Sequence, residues 1–295
     1  MRLQYYKKSN FGDALNPKIF KKLMPDFFDE NPEHDFFGIG SIIGLPMVRK
    51  AKKKIIFSSG YAYGKLPQLD ASYDIVCVRG PLSAKALKID TKLGIADGAL
   101  LLREFQYENV KKEYDFSFMP HRGSEHRYPW DELCKEAGIH FVSTASDPEF
   151  IIQEILKSKC VIAEAMHYAI VADTLRVPWI PVKAYSSISD FKWQDWTSSL
   201  NMEYNPIPLA ALYSPEAVKN FLKRRSPANL PEPIYDFVGT VRSSYENLFL
   251  KGRAVKGLEN AKKTKSHLSK DTIFNSKVDQ LMDRLSYVEK KYRRN

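Results

Sequence analysis

Two ionisable residues, Glu164 and His167, stand three positions apart where a strand pattern gives way to a helix pattern. The preceding residues 160–163 are an apolar run of strand type, and helical spacing begins at Glu164. The start of a helix presents free N–H groups that favour an anion. An imidazole can give and take protons near neutral pH, and a carboxylate can orient it or accept a proton. The simpler alternative is a capping glutamate beside an ordinary, partly buried histidine.

Cationic residues follow two earlier strand patterns. Arg79 ends the apolar strand predicted over residues 74–78, and His121 and Arg122 follow the strand predicted over 114–119. Ligands of open parallel sheets sit beyond the carboxyl ends of the strands, and a guanidinium group fits a carboxylate or a phosphate. These residues are therefore candidates for holding an anionic substrate. Arg79 could equally pair with an acidic neighbour, and Arg122 could be a solvated loop charge.

The loop between the first predicted strand and the first predicted helix contains Asn10, Gly12 and Asp13. A glycine in such a loop lets the backbone approach a ligand closely, and the two polar side chains offer contacts to it. A simple Asx-type turn is the alternative.

A glycine-rich turn follows the next predicted strand and contains Gly40 and Ser41. Its glycines, at 38, 40 and 44, do not have the G-x-G-x-x-G spacing of dinucleotide sites. We therefore predict no nicotinamide cofactor. The turn could instead form a backbone wall against a polar substrate, or be only a tight turn.

Strand and helix patterns alternate through two successive parts of the chain, which predicts an α/β fold with two doubly wound, Rossmann-like halves facing a cleft. We expect a first half over residues 1–112 and a second half, with the His167 motif, over 113–230. Residues 231–295 are expected to form a Pro-rich linker, containing Pro231 and Pro233 and preceded by Pro227, and then a basic helical tail. Residues 185–212 read as irregular and rich in aromatic residues.

The composition is that of a globular protein, with 44% hydrophobic and 13% aromatic residues over 295 positions. No apolar run reaches the roughly 18 residues that predict a membrane span, and the first residues lack the apolar region of a secretory signal. We therefore expect a cytoplasmic protein. The three cysteines lie far apart in apolar patterns, so they predict core positions, and no histidine has metal-ligand spacing.

The net charge of +10 comes mainly from residues 251–295, which hold 13 Lys and Arg against 5 Asp and Glu. Residues 251–270 are predicted to be mobile. Apolar residues at spacings of three and four from Phe274 to Tyr292 predict a helix that docks onto the body or a partner. The segment 251–270 lacks the aromatic residues of a nucleic-acid surface, so no nucleic acid is expected. A peripheral contact with the anionic inner membrane is the preferred role for this tail.

Several short motifs occur together in this chain, namely Asn10-Phe11-Gly12-Asp13, Val78-Arg79-Gly80-Pro81, Ala96-Asp97-Gly98-Ala99-Leu100, Pro120-His121, Glu164-Ala165-Met166-His167 and Ala172-Asp173-Thr174-Leu175-Arg176-Val177-Pro178-Trp179. Together they resemble the polysaccharide pyruvyltransferase family, most of all its branch with the succinoglycan ketal pyruvyltransferase. The resemblance covers roughly residues 1–185, and its most specific part is the block around His167.

This resemblance implies a fold like that of the GT-B glycosyltransferases, with phosphoenolpyruvate as donor substrate and no cofactor. The acceptor would be a sugar of a bacterial surface polysaccharide or of its lipid-linked precursor, which receives pyruvate as a cyclic ketal. His167 would be the acid. Many members carry an arginine two residues before this histidine, where this chain has Ala165. Arg79, Arg122 and Lys183 are candidates to hold the donor in its place.

A different enzyme on the same architecture is the main rival, because fold does not determine function. A GT-B-type glycosyltransferase would bind a nucleotide sugar where a pyruvyltransferase binds phosphoenolpyruvate. A membrane-surface or nucleic-acid-binding module is the rival from outside the enzymes, and its only support is the basic tail.

Overall fold

The computed structural model of the chain describes residues 1–7, 10–225 and 231–293. The first half contains a parallel sheet of four strands in the order of the chain. Its strands are β1 (Arg2–Gln4), β2 (His34–Phe37), β3 (Lys53–Phe57) and β4 (Tyr73–Cys77). The helices of this half are α1 (Phe11–Leu23), α2 (Pro46–Arg49), α3 (Pro81–Leu87) and two short 3-10 helices, Thr91–Leu93 and Gly98–Glu104.

The second half contains a parallel sheet of five strands in the order β6-β5-β7-β8-β9. Its strands are β5 (Tyr114–Met119), β6 (His140–Phe141), β7 (Ser158–Ala163), β8 (Trp179–Lys183) and β9 (Ile207–Pro208). The helices between them are α4 (Arg122–Glu125), α5 (Asp131–Glu136), α6 (Pro148–Lys157), α7 (Met166–Thr174) and α8 (Asp190–Ser199).

The strand orders confirm an α/β fold with two parallel sheets. They agree with the predicted double winding in the second sheet but not in the first. In the second sheet the order reverses at β5, because β6 lies on one side of it and β7 on the other. Such a reversal opens a crevice at the carboxyl ends of the two neighbouring strands. In the first sheet each new strand is added at the same edge, so its order does not reverse.

Both faces of the first sheet are buried, because successive side chains of a strand point to opposite faces. Phe36 and Phe57 pack with Phe20 of α1, whose ring centroid lies 4.9 Å from that of Phe36 and 5.6 Å from that of Phe57. Phe37 and Ile56 point the other way, into a second apolar cluster. The sheet therefore holds the start of α1 in a fixed position.

The aromatic segment 185–212 differs from its predicted irregular form. Residues 190–199 form α8, and Trp193 and Trp196 are buried against Trp179 of β8. Burial of three indole rings stabilises this helix on the second half, because aromatic side chains contribute large apolar areas. This packing buries one face of α8 in the core, and the other face is directed toward the first half.

Three helices complete the chain, α9 (Pro215–Arg225), α10 (Glu232–Lys262) and α11 (Asp271–Tyr292). Pro231 and Pro233 do not form a linker but stand at the start of α10, where proline is tolerated because its missing N–H would be unpaired anyway. Pro227 lies outside the described residues. The mobility predicted for 251–270 is also wrong for its first part, since residues 251–262 complete α10.

The apolar stripe of α11 docks onto the body of the protein, which is one of the two alternatives predicted for it. Phe274, Val278, Leu281, Leu285 and Val288 are all buried. The helix packs against the 3-10 helix Gly98–Glu104 and β4 of the first half, whereas α10 packs against α5 and β9 of the second. The last two helices therefore connect the two halves. Among the described residues, no helix combines the length and the apolar character that a membrane crossing needs.

Candidate active site

Two adjoining cavities lie where the start of α1 meets the carboxyl ends of β5 and β7. The narrow cavity has a volume of about 60 Å³ and the wide cavity one of about 290 Å³. Asn10, His167 and Lys192 line both, so the two cavities are parts of one cleft. Gly12, His121, Arg122 and Ala165 also line the narrow cavity, and Asp13, Gly40, Ser41, Tyr6 and Tyr63 also line the wide one.

His167 occupies the first turn of α7, directly beside the start of α1. Its side chain is 15% exposed, and its Nε2 atom lies 3.5 Å from Oδ2 of Asp97. A Cβ atom at Gly12 would lie 1.9 Å from Nδ1 of the imidazole. Glycine at position 12 is therefore required for α1 to approach the ring this closely. The sequence predicts a close approach to a ligand at this loop, and the structure shows one to the imidazole of His167.

Asp97 is the carboxylate that faces the imidazole. It is fully buried, and its Oδ1 atom accepts a hydrogen bond of 3.0 Å from the N–H of Ala99. Burial alone would raise the pKa of this carboxyl, but the charge and hydrogen-bonding capacity of His167 and the charge of Arg79 hold the pKa below its usual range. An ionised Asp97 places a negative charge beside the imidazole. No sequence pattern assigns Asp97 a role, although it lies in one of the matching motifs.

Glu164 is directed away from the imidazole. It is fully buried, and its two oxygens accept hydrogen bonds from the N–H groups of Ala184, at 2.7 Å, and His121, at 2.9 Å. Burial raises the pKa of Glu164, against the effect of these two bonds and one from Ser124. The carboxyl group therefore joins the loop after β5 to the end of β8. The role of orienting the imidazole, predicted for Glu164, falls to Asp97 in this geometry.

His121 and Arg122 line the narrow cavity together at the start of α4. Nδ1 of His121 accepts a hydrogen bond of 3.1 Å from the N–H of Gly123. Burial, followed by the positive charges of Lys192, Arg127 and Arg122, lowers the pKa of His121 to about 4. The imidazole is therefore neutral at physiological pH and carries its hydrogen on Nε2, where it can donate to a bound anion.

Arg79 lies beneath the cleft rather than in it. Its guanidinium group is fully buried and donates to Asp195 at 3.0 Å, to Ser41 Oγ at 2.6 Å and to the carbonyl oxygen of Tyr61 at 3.2 Å. Asp195 also accepts from Ser83. With this set of partners, Arg79 links α8 to the loops of the first half and supports Ser41.

Lys183 lies outside the lining of both cavities. Its Nζ atom contacts both carboxylate oxygens of Asp190 at 2.7 Å. This pairing closes the start of α8 onto the end of β8. The geometry offers no ligand contact to the Lys183 ammonium.

Lys192 is a cation of the cleft that no sequence pattern singles out. It lies on α8, and its Nζ atom lies 5.2 Å from the centroid of the Tyr63 ring. Throughout the described ranges, no carboxylate forms an ion pair with Lys192 or with Arg122. Because the segment 185–212 read as irregular, no pattern indicated which of its side chains would face a cleft.

Asp13, Gly40 and Ser41 meet in the wide cavity, as their polar types suggested. Asp13 is buried, and its Oδ1 atom has no hydrogen-bond donor among the described residues. Burial raises the pKa of Asp13 to about 6, with His167 and Lys192 acting against the shift and Asp97 adding to it. Gly40 has a φ of +131°, a backbone conformation that favours glycine, and a side chain there would collide with Asp13.

The first turn of α7 opens toward the narrow cavity at Ala165. This residue caps the helix without a side-chain hydrogen bond. The first N–H groups of α7 therefore remain available to a ligand or to solvent, and they favour an anion. Asn10 fills the capping role on α1, where it accepts from the N–H of Gly12 at 3.1 Å. Among the described residues, no three His, Cys, Asp or Glu side chains are grouped as metal ligands.

The chain is similar to a protein of succinoglycan biosynthesis. No family model matches the chain. The succinoglycan biosynthesis protein ExoV of Rhizobium meliloti (strain 1021) is 36% identical to it over 208 residues, which are 68% of this chain and 66% of the relative. The chain thus covers just under two thirds of the relative's length. By this similarity and the motifs that form the cleft, the chain is similar to the succinoglycan branch of the polysaccharide pyruvyltransferase family.

Proposed function

We propose that this protein transfers pyruvate from phosphoenolpyruvate to two hydroxyls of one sugar in exopolysaccharide biosynthesis, forming a cyclic ketal. The observation that carries the proposal is the placement of His167, with a buried carboxylate on one side and two cations without ion pairs on the other. An acid beside an anion-binding pocket is what protonation of an anionic enol ester requires.

In this proposal the donor occupies the narrow cavity and extends into the wide one past His167 and Lys192, because about 60 Å³ alone is too small for phosphoenolpyruvate. Its phosphate and carboxylate groups contact Lys192, Arg122, the Nε2–H of His121 and the open start of α7. These groups supply positive charge where Ala165 replaces the arginine of many relatives. Lys192 and Arg122 thus take the place of Arg79 and Lys183 as donor contacts, because the latter two are occupied by Asp195 and Asp190.

His167 acts as the acid in the first step. As an imidazolium held by Asp97, it gives a proton to the methylene carbon of phosphoenolpyruvate, and C2 becomes an oxocarbenium-like centre. One sugar hydroxyl attacks C2 and loses its proton. Phosphate then leaves with its bonding electrons, the second hydroxyl attacks C2, and its proton departs with the phosphate. The proton of the first hydroxyl returns, by way of Asp13, to the imidazole, so the net change places one proton in the new methyl group and one on phosphate, and no cofactor is needed.

Asp13 receives the proton of the first hydroxyl. With a pKa of about 6 the carboxyl is ionised at neutral pH, yet it is a better proton acceptor than an ordinary aspartate. The acceptor sugar occupies the wide cavity, whose 290 Å³ is near the lower limit of about 300 Å³ for ligand sites. Tyr6 and Tyr63 offer rings against its apolar face.

We also propose that the two halves are arranged as in the GT-B glycosyltransferases. Two α/β halves that contribute opposite walls of one cleft support a GT-B-like arrangement, with the donor held by the second half and the acceptor by the first. The name of the relative concerns succinoglycan biosynthesis, which favours a polysaccharide or lipid-linked saccharide as acceptor.

The decisive experiment is incubation of the purified chain with phosphoenolpyruvate and a panel of glycosides, with mass detection of a pyruvyl ketal and of released phosphate. We expect His167→Ala to lower turnover by about 10²- to 10⁴-fold, since a positioned acid is removed. His126→Ala is the matched control, because His126 is exposed and lines neither cavity.

A thermal-shift measurement separates the two enzyme classes. Phosphoenolpyruvate should raise the melting temperature, and nucleotide sugars should not. Stabilisation by a nucleotide sugar alone, together with no ketal from any glycoside, would identify a glycosyltransferase and reject the proposal.

A further inference from the structure

The first half of α10 presents an apolar face that nothing in the described chain covers. We call it the outer face, and it consists of Ile234, Phe237, Val241, Tyr245, Leu248 and Phe249. Phe237, Tyr245 and Leu248 are the most open, with 71%, 68% and 77% of their surface exposed. Large apolar side chains in a continuous exposed patch mark an interaction surface.

The outer face lies opposite the side by which α10 is attached. The residues that turn toward α9 are Tyr235, Gly239 and Ser243, of which a Cβ on Gly239 would lie 2.8 Å from the carbonyl oxygen of Pro215. At about 100° per residue, the middle position, Gly239, lies about 160° around the helix from Val241 and about 120° from Tyr245. The outer face therefore takes no part in the packing of α10 against α9.

The outer face is bordered by positive charge at its C-terminal end. At its start, Glu232 and Asp236 are paired with Lys219 and Lys223. At its end, Lys256 continues the same side of the helix and Arg253 flanks it. In the chain as described, neither Lys256 nor Arg253 forms an ion pair. An apolar face bordered by free cations complements an anionic lipid surface.

The outer face begins on the same side of the second sheet as the cleft. The N–H of Ser214, next to the start of α9, donates to the carbonyl oxygen of Arg127 at 2.7 Å, just after α4. The rings of Tyr185 and Tyr213 contact each other, with centroids 5.5 Å apart, and Tyr185 follows the end of β8. Both connections tie α9, and with it the start of α10, to loops that build the cleft.

We propose that the outer face docks onto an anionic membrane surface, with its apolar side chains at the boundary of headgroups and acyl chains. Three aromatic rings in one face are typical of helices that lie in this boundary. A second copy of the chain is the less favoured occupant, since each copy carries a net charge of +10 that repels another copy and attracts acidic lipid.

The sequence predicts a membrane contact through the basic tail, whereas the proposed contact lies on α10. The apolar stripe of α11 is buried against the body and cannot enter a lipid surface without undocking. The apolar anchor lies instead on α10, just before the basic segment. The proposal does not depend on the reaction catalysed in the cleft.

Co-sedimentation of the full chain with lipid vesicles tests the proposal. We expect binding to vesicles of phosphatidylcholine with phosphatidylglycerol and much weaker binding to phosphatidylcholine alone. The double variant Phe237→Ser, Leu248→Ser should bind at least about tenfold more weakly, because two large apolar side chains are lost. Arg253→Gln with Lys256→Gln should weaken binding to the anionic vesicles and reduce its salt dependence. Phe150→Ser is the matched control, since Phe150 is 50% exposed on α6.

Two results would overturn the proposal. The first is equal sedimentation of the wild-type chain and the Phe237, Leu248 variant, or no sedimentation of either. The second is a wild-type dimer in light scattering that becomes a monomer in this variant without any change in lipid binding, which would assign the face to self-association. Ketal formation on water-soluble glycosides should be unchanged in every variant, so a failure of docking is distinguishable from a failure of the proposed function.

Discussion

Two buried aspartates lie near the same imidazole, and their pKa values are shifted in opposite directions. The pKa of Asp97 is held below its usual range, against the effect of burial, by His167 and Arg79. The pKa of Asp13 is raised to about 6, because burial outweighs the attraction of His167 and Lys192. Environments that separate the pKa values of neighbouring carboxyls usually assign them different roles. Here Asp97 keeps its charge beside His167, the proposed acid, and Asp13 is the carboxyl suited to accept a proton.

Asp13→Asn should make the protein more stable at neutral pH while lowering its activity. The folded-state pKa lies above the ordinary 3.8, so the folded chain holds a proton between about pH 4 and pH 6 that the unfolded chain releases. Wild-type stability therefore falls as the pH rises through this window, and the loss persists above it. The variant should exceed the wild type in free energy of unfolding by up to about 3 kcal/mol at neutral pH. Urea unfolding should show that this difference vanishes near pH 4, and a difference independent of pH would contradict the assignment.

Lys192→Gln should raise the KM for phosphoenolpyruvate more than it lowers kcat. Loss of a charged hydrogen bond to the donor is worth roughly 10- to 100-fold in binding. Lys183→Gln is a matched control, because it removes the same charge at a residue already paired with Asp190. Steady-state kinetics with varied donor concentration measure both variants. Equal KM values for the two would show that Lys192 does not hold the donor.

Some residues of the site could be predicted from the sequence, and others could not. Asn10, Gly12, His121 and His167 stand at strand-to-helix turns, and parallel strands bring such turns to one edge. Asp97 precedes a 3-10 helix and Lys192 lies inside α8, so neither follows a strand and only the tertiary structure brings them to His167.

At the scale of elements, the critical contact is the start of α1 against the start of α7. Gly12→Ala should disturb it, because the added methyl group would lie 1.9 Å from Nδ1 of His167 and must push the ring or the helix aside. We expect a stability loss of about 1–3 kcal/mol and a larger relative loss of turnover. Gly252→Ala is the control, since nothing lies within 4 Å of a side chain at that position of α10. It should be neutral or stabilise by about 0.5–1 kcal/mol, and equal effects of the two substitutions would refute the close approach.

The local sequence patterns predict which segments are strands and helices better than they predict how these elements are arranged. Alternating strand and helix patterns indicated two parallel sheets, but the order of β1 to β4 depends on which edge each strand joins, and no local pattern records that. The helical state of residues 251–262 was missed because their lysines suggested solvation. In the structure Ala254, Leu258 and Ala261 are buried and hold this part of α10 on the second half.

At the scale of the whole molecule, α10 and α11 join the two halves. The turn between them adds two contacts to the second half: His267 pairs its backbone with that of Trp179 in β8, and Ser269 donates hydrogen bonds to the buried carboxylate of Asp173 in α7. Since α11 then continues onto the first half, both halves should unfold in one transition.

Leu281→Ala should lower the free energy of unfolding of the whole protein by about 2–5 kcal/mol, since Leu281 is fully buried in α11. Asn275→Ala, an exposed position of the same helix, should change it by less than about 0.5 kcal/mol. Denaturant unfolding followed by circular dichroism and by tryptophan fluorescence measures both. Since all four tryptophans lie in the second half, a shift confined to one probe would show that α11 does not couple the halves.

The position of α11 has a consequence for biosynthesis. The face of the first half that this helix covers includes the 3-10 helix Gly98–Glu104. At about 5–20 residues per second, a ribosome completes α11 on the order of ten seconds after that segment. During this interval the nascent first half displays an uncovered apolar surface, which is a substrate for chaperones until the last helix arrives.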